Sequence, residues 1–145
     1  MGICNLSPDS FSGDGLGDIE AVIAQAKRFA AEGADIIDIG GESTRPGSEP
    51  VPITEELRRV VPAIERLTSQ LSVPISIDTY KSVVGRQAVK AGDRMINDIW
   101  GLKQDPEIAQ VAAEAGVPLV LVSNQRGTAC RDIMAEVISS LERSI

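Results

Sequence analysis

Three observations predict an α/β protein built on a parallel sheet. Strand-sized apolar runs alternate with helical patterns five times along the 145 residues, and no hairpin signal separates two strand patterns. The runs are also apolar throughout rather than alternating, as expected of strands covered on both faces. Consecutive right-handed crossovers then leave two architectures, a doubly wound sheet or part of a (β/α)8 barrel. A complete barrel needs roughly 200 to 250 residues, so about five of its β-α units fit this chain.

Taken in order, Met1 to Leu6 reads as a short strand ending at Asn5. It is followed by SPDSFSGDGLGD, whose proline and glycines exclude regular structure and predict a long mobile loop. Asp18 is placed to cap a helix with Ile19, Val22, Ile23, Ala26, Phe29 and Ala30 at helical spacing, stopped by Gly33. Ala34 to Ile39 supplies the second strand, which ends in Gly40 and Gly41. Thr54 is the expected cap of the next helix, with Leu57, Val60, Val61, Ile64 and Leu67 on one stripe and Pro62 inside it, where a lost hydrogen bond should bend the axis. Pro74 to Thr79 is the third strand and Lys81 to about Ala91 a short helix. Met95 to Ile99 is the fourth strand, Asp105 and Pro106 open a helix that ends at Gly116, and Val117 to Val122 is a fifth, buried strand. The last helix carries Ile133, Met134, Val137, Ile138, Leu141 and Ile145 on one face.

The composition narrows the function. With 43% hydrophobic residues the chain can bury a core, and no shift in composition divides it into two domains. A formal charge of −7 and a pI near 4.6 argue against nucleic-acid binding, and no apolar run reaches membrane length, so neither nucleic acid nor membrane is an expected partner. Met1 leads into an apolar run without a basic region or cleavage site, so a cytoplasmic protein is expected. There is no histidine, which removes a Ser-His-Asp triad, a histidine base and a Cys-His pair. Cys4 and Cys130 lack metal-ligand spacing and read as buried or idle thiols.

Polar residues gather where both parallel architectures place chemistry, at the carboxyl ends of the strands. Asn5 follows the first strand, and Ser43, Thr44 and Arg45 follow the second. Asp78 and Thr79 end the third, Asn97 and Asp98 the fourth, and Ser123 to Arg126 follow the fifth. Leaving Asp78 or Asn97 buried and unpaired would cost about 1 to 3 kcal/mol each, which a core-filling sequence has no reason to bear. Side by side, Asp78 and Asn97 offer acceptors and an amide donor to a flat nitrogen heterocycle. Asn5, Thr44 and Arg45 offer donors to an anion, including one that carries Mg²⁺. Gly40 and Gly41 would let the backbone turn sharply or approach a ligand, and the loops around Pro8 to Gly17 and Pro46 to Pro52 have the composition of segments that close over a substrate.

The stretches MGICNLSPDSFSGDG from Met1, GADIIDIGGESTRPG from Gly33, ISIDTYK from Ile75, INDIWGL from Ile96 and PLVLVSNQRG from Pro118 together resemble the dihydropteroate synthases of the folate pathway. The resemblance runs in order over essentially all of residues 1–145 as a single pterin-binding domain and implies the barrel alternative. It implies condensation of 6-hydroxymethyl-7,8-dihydropterin pyrophosphate with p-aminobenzoate, with Mg²⁺ present, at a site where sulfonamides compete. It places Asn5 at the pyrophosphate and its magnesium, and Phe11 over the p-aminobenzoate pocket. Thr44 and Arg45 fall on the anion and Pro46 against the aromatic ring. Asp78 and Asn97 become the pterin-recognising pair, with Ile99 on the ring, and Asp78, Asn97 and Arg45 carry the catalytic roles. In the mechanism implied, pyrophosphate departs first and the arylamine attacks a cationic pterin methylene, whose charge a carboxylate such as Asp78 suits.

Two departures are visible. Ser123-Asn124-Gln125-Arg126-Gly127 stands where the family has a His-Met-Arg-Gly-like run. The family's aspartate, lysine and Arg-x-His of strands six to eight have no counterpart, so the chain matches the family's N-terminal part. Five strands of an eight-stranded barrel leave two sheet edges, so a homo-oligomer is expected, or else a chain that is part of a longer enzyme. Two further readings remain beside the synthase: a pterin-binding module without synthase activity, like the folate-binding half of corrinoid methyltransferases, and a catalytically dead fragment.

Overall fold

In a computed structural model that describes residues 1–6, 19–43, 48–124 and 132–144, the strands and helices alternate without exception. The order is β1 (Gly2–Asn5), α1 (Ile19–Ala31), β2 (Ile37–Gly40), α2 (Ile53–Thr68), β3 (Ile75–Asp78), α3 (Ser82–Ala91), β4 (Met95–Asp98), α4 (Glu107–Ala115), β5 (Leu119–Leu121) and α5 (Ile133–Glu142). The sheet is fully parallel in the order β1-β2-β3-β4-β5, with β1 and β5 at its edges. Each strand therefore pairs with the next in sequence, as in five units of an open (β/α)8 barrel rather than in a doubly wound sheet.

Register divides the sheet into two chemically different faces. Cys4 pairs with Ile39, Ile39 with Ile77, Ile77 with Ile96 and Ile96 with Leu119, a row that points toward the helices. It packs in one core with Val22, Ile23 and Ala26 of α1, Val60, Ile64 and Leu67 of α2, Val84 and Ala88 of α3, and Ile108 and Val111 of α4. The stripes read from spacing thus turn inward, and Ile19, Phe29, Leu57 and Val61 pack at the margin of the same core. The opposite face carries Ile3, Asp38, Ser76 and Met95 in one row and Asn5, Gly40, Asp78 and Asn97 in the next.

Several local readings are corrected. The second helix starts at Ile53, one residue before Thr54, and Pro52 at its N-cap makes no side-chain cap; proline is favoured at a helix start because its missing N–H has no helical acceptor there. Gly40 and Gly41 do not need left-handed backbone. They are small for packing reasons: a Cβ on Gly41 would lie 2.7 Å from Val60 Cγ1 and 2.8 Å from Glu56 Cγ, both on α2. The fifth strand is half-exposed rather than buried, because among the described residues no strand pairs with its outer side. The last helix forms, capped by Asp132 accepting from the amides of Met134 (3.1 Å) and Ala135 (3.2 Å), yet Ile133 and Met134 stay 67% and 65% exposed. The expected Asp18 cap, the loop over Ser7 to Asp18, Cys130 and Ile145 lie outside the described residues. Cys4 is a free, buried thiol, and burial pushes its pKa up to about 11.

Between α3 and β4 sits Asp93, fully buried, with no hydrogen-bond partner for either carboxyl oxygen among the described residues. Burial first and the negative charge of Asp38 second push its pKa up from 3.8 to about 8. A carboxyl raised on folding stabilises the fold below the unfolded value and loses that contribution as pH rises through the folded one, here between about 4 and about 8. Asp93→Asn should match the parent near pH 4 and exceed it by about 2 kcal/mol or more near pH 8, measured as urea midpoints at both pH values.

Candidate functional site

The site is built on the second row of the open face, at the carboxyl ends of the strands. Asn5 ends β1, Gly40 ends β2, Asp78 ends β3 and Asn97 stands one residue before the end of β4, each paired in register with the next. Parallel partners point to the same side, so the three polar side chains converge on one rim. Gly40 makes room between them. A Cβ there would lie 2.9 Å from Asn5 Oδ1 and 3.7 Å from Asp78 Oδ2.

Below this row lies Asp38, which sequence reading passed over as part of an apolar run. It is 2% exposed, and Asn97 Nδ2 donates to its Oδ2 at 3.2 Å, reaching across β3. Burial raises the Asp38 pKa, with Ser76 and Asn97 opposing the rise. The signal was available: a carboxylate inside IIDIGG interrupts a run in which no polar alternation is expected.

The carboxylates act on one another. Asp78 is pushed up to about 7, first by burial and then by the negative charges of Asp38, Glu56, Asp98 and Glu42. It is therefore divided between its acid and its carboxylate near neutral pH, able to give or take a proton at the rim.

Asp98 has a different role from the one its rim position suggested. It is fully buried, and its carboxylate accepts from Trp100 N (2.8 Å) and Leu102 N (2.7 Å), which ties down the turn that carries half-buried Ile99 beside the site. Within that turn Leu102 has a φ of +65°, and the two hydrogen bonds hold it there. Thr79 points into a buried ion cluster instead of the rim: its Oγ1 donates to Glu56 Oε1 at 2.8 Å. In the same cluster Lys81 Nζ reaches Glu42 Oε2 at 2.6 Å and Glu56 Oε2 at 2.5 Å, neither of which the sequence reading singled out.

The structure thus brings Asn5, Asp78, Asn97 and Ile99 to one end of the sheet. Phe11, Thr44, Arg45 and Pro46 lie outside the described residues, as do Gln125, Arg126 and Gly127.

A family model described as pterin binding enzyme matches residues 1–144, and the chain belongs to that family. It is 52% identical over its full length to a dihydropteroate synthase from Bacillus subtilis (strain 168), of which it covers 51%. It is 47% identical, again over its full length, to a dihydropteroate synthase from Clostridium beijerinckii, of which it covers 54%. Among solved structures, the dihydropteroate synthase of Xanthomonas albilineans with 4-aminobenzoic acid matches with a TM-score of 0.90 and 49% identity over 99% of this chain and 53% of that one. The same enzyme in complex with 7,8-dihydropteroate matches with a TM-score of 0.85 and 46% identity over 99% of this chain and 52% of that one. The chain spans about half the length of the curated relatives it matches.

Removing the amide should expose the coupling of the two rows. Asn97→Ala deprives buried Asp38 of one of its donors, so the expected cost is about 1 to 3 kcal/mol in urea denaturation at neutral pH, shrinking as the pH falls and the raised Asp38 carboxyl takes up its proton in the folded state.

Proposed function

We propose that this chain provides the pterin-directed and anion-directed part of a dihydropteroate synthase site, where 6-hydroxymethyl-7,8-dihydropterin pyrophosphate meets p-aminobenzoate and pyrophosphate leaves. The row Asn5, Gly40, Asp78, Asn97 carries the reading, because it sets a carboxylate and an amide side by side, with Gly40 leaving room for the Asn5 side chain beside them. The Xanthomonas albilineans enzymes solved with 4-aminobenzoic acid and with 7,8-dihydropteroate support it.

In this reading Asp78 accepts the ring N–H donors of the pterin, Asn97 supplies the complementary amide and Ile99 packs on the ring. Thr44 and Arg45 take the anion, while Phe11 and Pro46 flank the arylamine. The methylene C–O bond breaks as pyrophosphate leaves, and the arylamine nitrogen forms the new C–N bond and gives up a proton. Asp78, held near neutrality in its titration, steadies the positive charge that develops on the pterin.

Mg²⁺ belongs to the proposal as an ion brought with the pyrophosphate. No group of three His, Cys, Asp or Glu residues able to hold a metal gathers among the described residues. Magnesium takes few protein ligands and keeps phosphate and water oxygens, a demand that the single amide oxygen of Asn5 fits. When bound, it neutralises charge on the departing pyrophosphate.

The partners in this reading are the two small substrates and a second copy of the chain. The edges of β1 and β5, which no other strand pairs among the described residues, and the exposed Val120, Ile133 and Ile138 favour self-association. No described helix is long and apolar enough to cross a membrane. A cytoplasmic setting is also part of the proposal.

The deciding assay is pyrophosphate release that depends on p-aminobenzoate, with Asp78→Asn beside the parent chain. Release that collapses in the variant is the expected result; 6-hydroxymethylpterin binding without release would favour a binding module or a catalytically dead fragment, and the absence of both release and binding would refute the proposal. Pterin affinity should rise about tenfold between about pH 6 and about pH 8 as Asp78 ionises, and should stay flat in Asp78→Asn, as read by calorimetry. Light scattering should give a mass above that of one chain; a compact monomer would overturn the self-association.

A further inference from the structure

Lys81 is the hub of a buried network that none of the roles above requires. Its side chain is 10% exposed, and its ammonium donates to Glu42 Oε2 at 2.6 Å, to the Val51 carbonyl at 2.6 Å and to Glu56 Oε2 at 2.5 Å. An ammonium has three donors, and all three are used. Glu42 Oε2 also accepts the Val51 amide at 2.9 Å. Glu56 Oε1 accepts the Thr79 hydroxyl at 2.8 Å, and Thr79 Oγ1 in turn accepts the Lys81 amide at 3.3 Å.

A buried ion cluster is a weak source of stability, since desolvating its charges offsets most of their attraction. What this one secures is geometry. Glu42 follows directly on the glycines that end β2, Val51 precedes α2, Glu56 lies on α2, and Thr79 follows Asp78 at the end of β3. The neck between Glu42 and Val51 has two further ties: Ser48 Oγ donates to the Ser43 carbonyl, and Arg59 Nη1 donates to the Gly41 carbonyl at 2.9 Å. The residues from which segment 43–50 departs and to which it returns are therefore fastened to one cation, which is itself fastened to the strand of Asp78.

We propose that Lys81 is a positioning residue: it holds Glu42 and Val51 at a fixed place against the end of the strand of Asp78, and the pyrophosphate affinity proposed for this chain depends on that anchorage. The anion part rests on the function proposed above; the anchorage does not.

Two variants of the full chain separate these claims, because Lys81→Met removes a positive charge and Glu42→Gln a negative one. The first readout is amide hydrogen exchange, which needs no ligand. At Val51 it should accelerate on the order of 100-fold in Lys81→Met and on the order of 10-fold in Glu42→Gln, with the amides of β2 and β3 unchanged. The second is affinity for inorganic pyrophosphate by calorimetry. A field effect alone would weaken binding in Lys81→Met and strengthen it in Glu42→Gln, whereas loss of anchorage weakens it in both by about tenfold. Unchanged exchange at Val51 in both variants, or acceleration spread equally over β2 and β3, overturns the anchorage. Opposite changes in affinity overturn its link to the anion. If the parent chain binds no pyrophosphate, the functional reading fails and the exchange data alone decide the role of Lys81.

Discussion

Parallel pairing in sequential order makes every other residue of each strand face the same side, and this alternation governs the molecule. It collects Cys4, Ile39, Ile77 and Ile96 into a dry layer beneath the helices. The intervening residues then have no choice of side, and Asn5, Asp38, Asp78 and Asn97 come together on the opposite face. A slip of one residue between two strands would move carboxylates into the helix layer and isoleucines onto the rim. The burial of the isoleucine row thus protects the geometry of the site, and Gly40, whose replacement would press on Asn5, keeps that row of side chains open.

Concentrating carboxylates on one face of a small body has an energetic consequence. Asp38, Asp78 and Asp93 all have raised pKa values, and in each burial is the largest cause. The negative charge of Asp38 adds to it in both of the others. Lys81 is raised as well: burial works against its charge, but its hydrogen bonds with Glu42 and Glu56 outweigh that penalty. The molecule therefore holds one hydrogen-bonded ion cluster, a lysine between two glutamates, next to a rim whose acid is left near its titration point. That is the division expected when some charges serve architecture and others serve chemistry.

The resemblance in the sequence and local chemistry single out the same candidate residues by different routes. Asp78 and Asn97 were legible because a carboxylate and an amide at the ends of apolar strands are costly unless something is recognised there. Asp38, Lys81, Glu42 and Glu56 were not legible as a set. Spacing along one strand or helix cannot show that Asn97 reaches Asp38 across β3, or that a lysine after β3 meets glutamates after β2 and on α2. Asp98 was misplaced for a related reason: its partners, the amides of Trp100 and Leu102, become acceptable to it only once the chain turns there.

What the sequence determined by itself is the element order, the parallel character of the sheet and the end of the strands where chemistry gathers, since these follow from apolar periodicity and from the cost of burying polar groups. Even so, the cap of α2 shifted by two residues, from Thr54 to Pro52, and β5, read as buried, proved half-exposed. Tertiary structure alone decided which polar residue does what. Thr79 joins a buried ion cluster while its neighbour Asp78 faces the rim, and Asn97 holds Asp38 while its neighbour Asp98 caps a turn. Adjacent residues on a strand point to opposite sides, and what waits on each side is brought there by other segments of the chain.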